Sequence, residues 1–108
     1  MSVKEPVPWS FTIEFDAEKA ARNGYDIEDL YECVDKNVQR FGLTRLALGT
    51  WKANEASRVE SQCRSLSFLS RQKWVMQNVT SLTAFERSTK PIDYIGIVED
   101  LFPERICA

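Results

Sequence analysis

The sequence predicts an α+β fold: one sheet, two long helices on one of its faces, and a further helix at the C-terminal end. Three observations predict it. Apolar residues alternate at Phe11, Ile13 and Phe15, the period of a strand with one face on a core. Ile27, Leu30, Tyr31, Val34, Val38 and Phe41 recur at spacings of three and four, the stripe of an amphipathic helix. Alternation returns over residues 79–87, beyond a second helical stretch.

The first strand covers residues 9–15, with Ser10, Thr12, Glu14 and Asp16 opposite the apolar side chains. A polar segment containing Asn23 and Gly24 follows. Asp26 stands where a helix cap is needed, ahead of Glu28 and Asp29, whose charges suit a helix N-terminus. That helix runs to Phe41 and stops at Gly42. Residues 43–53 read as extended and divide at Gly49 into a hairpin, 44–47 and 50–53, anchored by Trp51. Asn54 or Ser57 caps a second helix reaching Lys73, with Val59, Cys63, Leu66, Ser67 and Ser70 along one face. Its serines lower helix propensity, so packing on the sheet must hold it. Trp74, Val75 and Met76 close this helix or fold over its end. Residues 79–87 form the last strand, and Pro91 at a first helical position opens a terminal helix through Ile92, Ile95, Val98, Leu101 and Phe102, ended by Pro103. The order is that of the ferredoxin-like βαββαβ sandwich with an extra C-terminal helix.

A chain of 108 residues supports one core and no second. The expected organisation is an arm over 1–8, a single domain over 9–102 and a tail over 103–108. An apolar fraction of 44% and a charged fraction of 28% are ordinary for a globular chain, and no apolar run is long enough to cross a bilayer. The expectation is a cytoplasmic protein with no membrane partner. Cys33, Cys63 and Cys107 are odd in number and widely spaced, which points to reduced thiols and away from a disulfide framework or a paired metal site. The chain has no histidine, which excludes a histidine-based zinc site, a Ser-His-Asp triad and any histidine general base. With a formal net charge of −2, nucleic-acid binding has to be local. Arg58, Arg64, Arg71 and Lys73 gather in one segment, and Arg40, Arg45 and Lys52 in another, as basic patches or as the solvated flanks of helices.

Asp16, where the first strand opens into a loop, is the residue singled out for chemistry. A carboxylate held there by the sheet and left accessible by the loop can hold a metal ion or position a water. It also suits a turn, in which it bonds its own backbone.

The chain resembles the virulence-associated protein D family, small toxin-like ribonucleases related to the CRISPR-associated ferredoxin-like nucleases. The resemblance covers residues 11–98. It is carried by the strand ending in Phe15-Asp16, the helix 26–41 closing in Phe41-Gly42-Leu43, the triplet Gly49-Thr50-Trp51, Trp74-Val75 followed by Asn78-Val79, and the strand to Glu86. Each piece is common; their shared order is the signal. Thr50 stands where serine is usual in the family, and Ala17 where leucine is typical.

This resemblance implies RNA cleavage by a homodimer, with Asp16 binding Mg²⁺ or orienting the nucleophile and Thr50 assisting. Arg45, Lys52 and Arg71 are the candidates for holding phosphates, and an antitoxin protein is an implied partner. One carboxylate per chain is a thin shell for Mg²⁺, which takes carboxylates and water. A second reading is a noncatalytic dimerisation or protein-interaction module that uses the free sheet face. The acidic balance, the lack of histidine and the lack of a second clear ligand favour it.

Overall fold

The computed structural model describes residues 8–54, 58–87 and 90–105. Strand β1 (Ser10–Phe15) is followed by helix α1 (Ala17–Arg22) and helix α2 (Ile27–Gln39). Strands β2 (Leu43–Ala47) and β3 (Thr50–Ala53) form the hairpin, and helices α3 (Arg58–Arg71) and α4 (Lys73–Met76) lead to β4 (Val79–Phe85). A short β5 (Ile92–Asp93), helix α5 (Tyr94–Leu101) and a 3₁₀ turn (Pro103–Arg105) complete the order. The sheet runs β2-β3-β1-β4-β5 with every pairing antiparallel. The first four strands have the ferredoxin-like arrangement, with the extra helix where it was expected; β5 is an addition at the edge.

The sheet's pleat sorts the side chains into two populations. Phe11, Ile13, Trp51, Leu82 and Ala84 are buried, and the register sets Phe11 between Trp51 and Ala84, and Ile13 beside Leu82. Helices α2, α3 and α5 cover this face through Leu30, Tyr31, Val34, Val38, Leu66, Leu69 and Val98. The opposite face carries Thr12, Glu14, Thr44, Thr50, Lys52, Ser81 and Thr83. These residues are polar, with the Thr12 and Thr50 hydroxyls 2.9 Å apart, and Phe85, opposite Ser10, is the apolar residue of β4 on this face. Glu14 accepts from the Ser81 hydroxyl at 3.2 Å.

Helix α2 forms as its stripe requires. Asp26 accepts from the Glu28 amide at 2.9 Å, and Gly42, at φ 90°, turns the chain out into β2 as a residue without Cβ can. Trp51 is fully buried, and its indole N–H donates to Asp35 Oδ1 of α2 at 2.9 Å. Gly49 is required for a different reason: a Cβ there would lie 2.5 Å from the Ile13 carbonyl oxygen and 3.1 Å from the Tyr31 ring.

Four sequence expectations change. Residues 17–22 are helical, because Asp16 caps them and Ala-Glu-Lys-Ala-Ala-Arg favours helix, although Ala20 alone is buried. The second long helix ends at Arg71, and Lys73–Met76 forms a separate short helix. Pro91 does not open the terminal helix. Ile92 and Asp93 pair with Ala84 and Thr83 as a strand, and Asp93 caps α5 by accepting from the Gly96 amide at 3.2 Å. The last strand stops at Phe85. The arm up to Val7, the Ser57 cap and Cys107 lie outside the described residues.

A candidate active site around Asp16

Asp16 follows the central strand, and four contacts with the backbone fix it, one of them from the Ala20 amide to its carbonyl at 2.9 Å. Its amide donates to the Asn78 carbonyl at 2.8 Å. Its Oδ1 accepts from the amides of Glu18 at 2.8 Å and Lys19 at 3.1 Å, the geometry of a helix N-cap. Among the described residues no hydrogen bond falls on Oδ2. The Lys19 amide does most to hold the carboxyl below the ordinary carboxylate range. Partial desolvation opposes it, and the Glu18 amide and the Lys19 and Arg22 charges add to the lowering. Asp16 is therefore an ionised, positioned carboxylate near neutral pH.

The strand leading to Asp16 is irregular. The register shifts between Glu14 and Phe15, and the Phe15 amide donates to the buried Tyr31 hydroxyl at 3.1 Å. The phenol of α2 thus takes the N–H at the bulge, and its ring meets Phe15 edge-on at 5.1 Å. Asn78, fully buried, braces the other side. Its amide nitrogen donates to the Trp74 carbonyl at 2.7 Å, and its side-chain oxygen accepts from Asn23 at 2.8 Å.

The other site candidates are dispersed. Thr50 pairs with Thr12 on the open sheet face, and Thr12 lies four residues before Asp16, roughly 13 Å along the strand. One chain does not bring the hydroxyl and the carboxylate onto the same bond. Lys52 shares that face and sits opposite Ser10 and Thr44. Arg45 belongs to the helix-covered side. It donates to Glu32 at 2.8 Å and to the Ala47 and Leu48 carbonyls, lies 3.8 Å from Asp35, and stacks over Trp51 at 5.3 Å. Arg45 thus works as a structural cation between α2 and the hairpin. Arg71 stands at the end of α3, beside Gln72 and Lys73. Proximity in the chain grouped Arg40, Arg45 and Lys52, and the pleat separates them, since neighbours in a strand point to opposite faces.

Among the described residues no three carboxylates or thiols converge as a metal site. Cys33 and Cys63 are free thiols. No helix among the described residues is long and apolar enough to cross a membrane. The residues whose part at the site sequence reading missed are Tyr31, read as one of the α2 stripe, and Asn78, read only as part of the resemblance. Their tyrosyl hydroxyl and amide groups were the available signal, because a buried polar group needs a partner. Comparison with protein-family models finds no match, and no curated protein matches the sequence.

Proposed function

We propose that the chain is a toxin-type endoribonuclease resembling virulence-associated protein D, which cleaves RNA phosphodiesters as a homodimer with Asp16 at the active site. The observation that carries this reading is the state of Asp16: ionised, fixed by backbone contacts at the end of the central strand, and, among the described residues, with no hydrogen bond on Oδ2. A carboxylate with a lowered pKa is a poor proton acceptor. Its suited work is to orient the attacking hydroxyl or water, or to hold a divalent ion. Mg²⁺ is satisfied by one or two carboxylates with water, which fits one Asp16 from each of two subunits, and when bound it neutralises charge building on the phosphate. Thr50, on the open face with Thr12, would contact substrate or the partner copy outside the carboxylate's own reach.

The experiment uses the fact that asparagine caps helices as well as aspartate does. Purified protein is incubated with several RNAs, with Mg²⁺, with Mn²⁺ and with chelator, beside Asp16→Asn. Cleavage by the parent and none by a folded Asp16→Asn supports the reading; RNAs left intact under every condition, or cut equally by the variant, refute it.

A second reading has its own observation. Capping accounts for Asp16 without any chemistry, and the sheet face of Thr12, Thr50, Ser81 and Thr83 is a broad polar surface suited to pairing. A noncatalytic dimerisation or protein-interaction module is then the result. Dimer dissociation by Thr12→Arg in a protein that cleaves no RNA would favour this reading.

A further inference from the structure

Two surface grooves meet at the C-terminal end of α3 and share Arg71 and Gln72. One, of about 470 Å³, is lined by Phe41, Arg64, Ser67, Phe68 and Arg71 among others. The second, of about 340 Å³, runs past Ser70, Arg71, Lys73, Met76, Glu104 and Arg105. The region concentrates cations in a chain of net charge −2. Arg40, Arg64, Arg71, Lys73 and Arg105 surround the grooves, against Glu60, which already holds Arg64 at 3.3 Å, and Glu104.

Two of these cations, Arg71 and Lys73, differ from Arg45, whose charge the fold consumes. Among the described residues the side chains of Arg71 and Lys73 make no hydrogen bond or ion pair, and both are exposed. Arg105 is set at the rim by structure: its Nη1 donates to the buried Ser70 hydroxyl at 3.1 Å, and its guanidinium lies 3.9 Å from the Phe102 ring centroid. Next to this cationic groove is an aromatic one, its two rings tilted 54° to each other. Phe41 and Phe68 are half-buried with centroids 5.9 Å apart, and the Arg40 guanidinium lies over both, at 5.1 and 5.0 Å.

Phosphates want the first surface, and bases stack on rings and guanidinium planes like the second. We infer that these joined grooves bind single-stranded RNA, with phosphates at Arg71, Lys73 and Arg105 and a base against the Phe41, Phe68 and Arg40 platform. This deepens the ribonuclease reading and rests on it for the identity of the polyanion. It also moves the RNA path to the helical side of the domain. The groove reaches Lys73 and Met76 of α4, a helix roughly 6 Å long. Two residues beyond it, the Asn78 carbonyl holds the Asp16 amide at 2.8 Å.

The test measures binding apart from cleavage. The full chain carrying Asp16→Asn is titrated against a short fluorescent single-stranded oligoribonucleotide at several salt concentrations. Adding Arg71→Ala with Lys73→Ala is expected to weaken binding at least tenfold and to flatten the logarithmic salt slope by roughly 1.4, about 0.7 per lost phosphate contact. Phe68→Leu, which keeps an apolar side chain but no ring, is expected to cost about tenfold. Lys36→Ala, an exposed lysine of α2, should change neither quantity. No RNA binding at low salt, an equal loss from Lys36→Ala, or displacement of RNA by polyglutamate as readily as by unlabelled RNA would each overturn the proposal. Cleavage by the parent whose KM ignores the Arg71 and Lys73 changes overturns the groove while the ribonuclease reading stands. Groove-dependent binding without cleavage upholds the groove while the ribonuclease reading falls.

Discussion

The indole N–H of Trp51 donates to Asp35 Oδ1 at 2.9 Å, joining the largest fully buried side chain to the flank of α2. Gln39 donates to the other oxygen of that carboxylate at 2.8 Å, so one acidic side chain links helix and hairpin. Asp35→Ala leaves the buried indole N–H without an acceptor, which should cost about 1–3 kcal/mol. Asp35→Asn keeps an oxygen at the same place and should cost clearly less. Urea unfolding followed by tryptophan fluorescence measures both, and equal losses would contradict the assignment.

Asp16 is expected to separate stability from activity by its substitutions. Asp16→Ala removes the cap of α1 and should lower the melting temperature, whereas Asp16→Asn should leave it nearly unchanged. Both should abolish RNA cleavage. An Asp16→Asn protein that melts like Asp16→Ala would make the charge, and not the cap, the structural contribution.

Acid should destabilise the fold through the same two carboxylates. Desolvation raises the Asp35 pKa, but the hydrogen bonds from Trp51 and Gln39 and the charge of Arg45 outweigh it, and the net shift is downward; Asp16 shifts the same way. A group with a folded pKa below its ordinary value contributes stability in full above that value, 3.8 for these residues, and loses it as pH falls through the folded value. Unfolding free energy should therefore decline on acidification below about pH 5, and Asp35→Asn should show a shallower decline across that window.

Tyr31→Phe tests the support beneath the site. The substitution leaves the Phe15 N–H at the bulge without its acceptor, at a cost of about 1–3 kcal/mol. Because Asp16 is the next residue, cleavage should also fall, with kcat affected more than KM. Denaturation and steady-state kinetics on the same preparation distinguish this from simple loss of folded protein.

The glycines predict a contrast. Gly49→Ala forces a Cβ to 2.5 Å from the Ile13 carbonyl oxygen and should cost about 1–3 kcal/mol, as overpacking does. Gly24 has φ 83° and nothing near its missing Cβ, so Gly24→Ala should cost about 1–2 kcal/mol through backbone strain alone. Gly24→Asn, which tolerates that conformation, should recover part of the loss, whereas Gly49→Asn should be at least as damaging as alanine.

The legible parts of the fold were those where a side-chain pattern and a local signal coincide. Helix α2 has both a continuous stripe and the Asp26 cap, and β1 has strict alternation. Helix α1 lacked a stripe because it has only 6 residues and buries Ala20 alone. Strand β5 was hidden because two residues carry no periodicity and only the edge of β4 makes them a strand. At the site, Asp16 was legible as a strand-end carboxylate. The fate of Arg45 was not, because its partners Glu32 and Asp35 lie on another element and the pleat decides which face meets them. Tyr31 and Asn78 escaped for a similar reason: their hydrogen bonds answer a bulge and a turn that exist only after β1 and β4 pair.

The central position of β1 has a consequence for how the chain matures. Its neighbours are β3 and β4, and Ser10 must find Lys52 on one side and Phe85 on the other. During synthesis β1 emerges well before either neighbour; Phe11 can meet Trp51 once β3 is made, but Ile13 and Phe15 pair with Leu82 and Val79 and wait for β4. Helices α2 and α3 can form meanwhile from local contacts. The domain should therefore close late, after its C-terminal strands leave the ribosome, and at the slower pace of folds whose pairings span most of the chain.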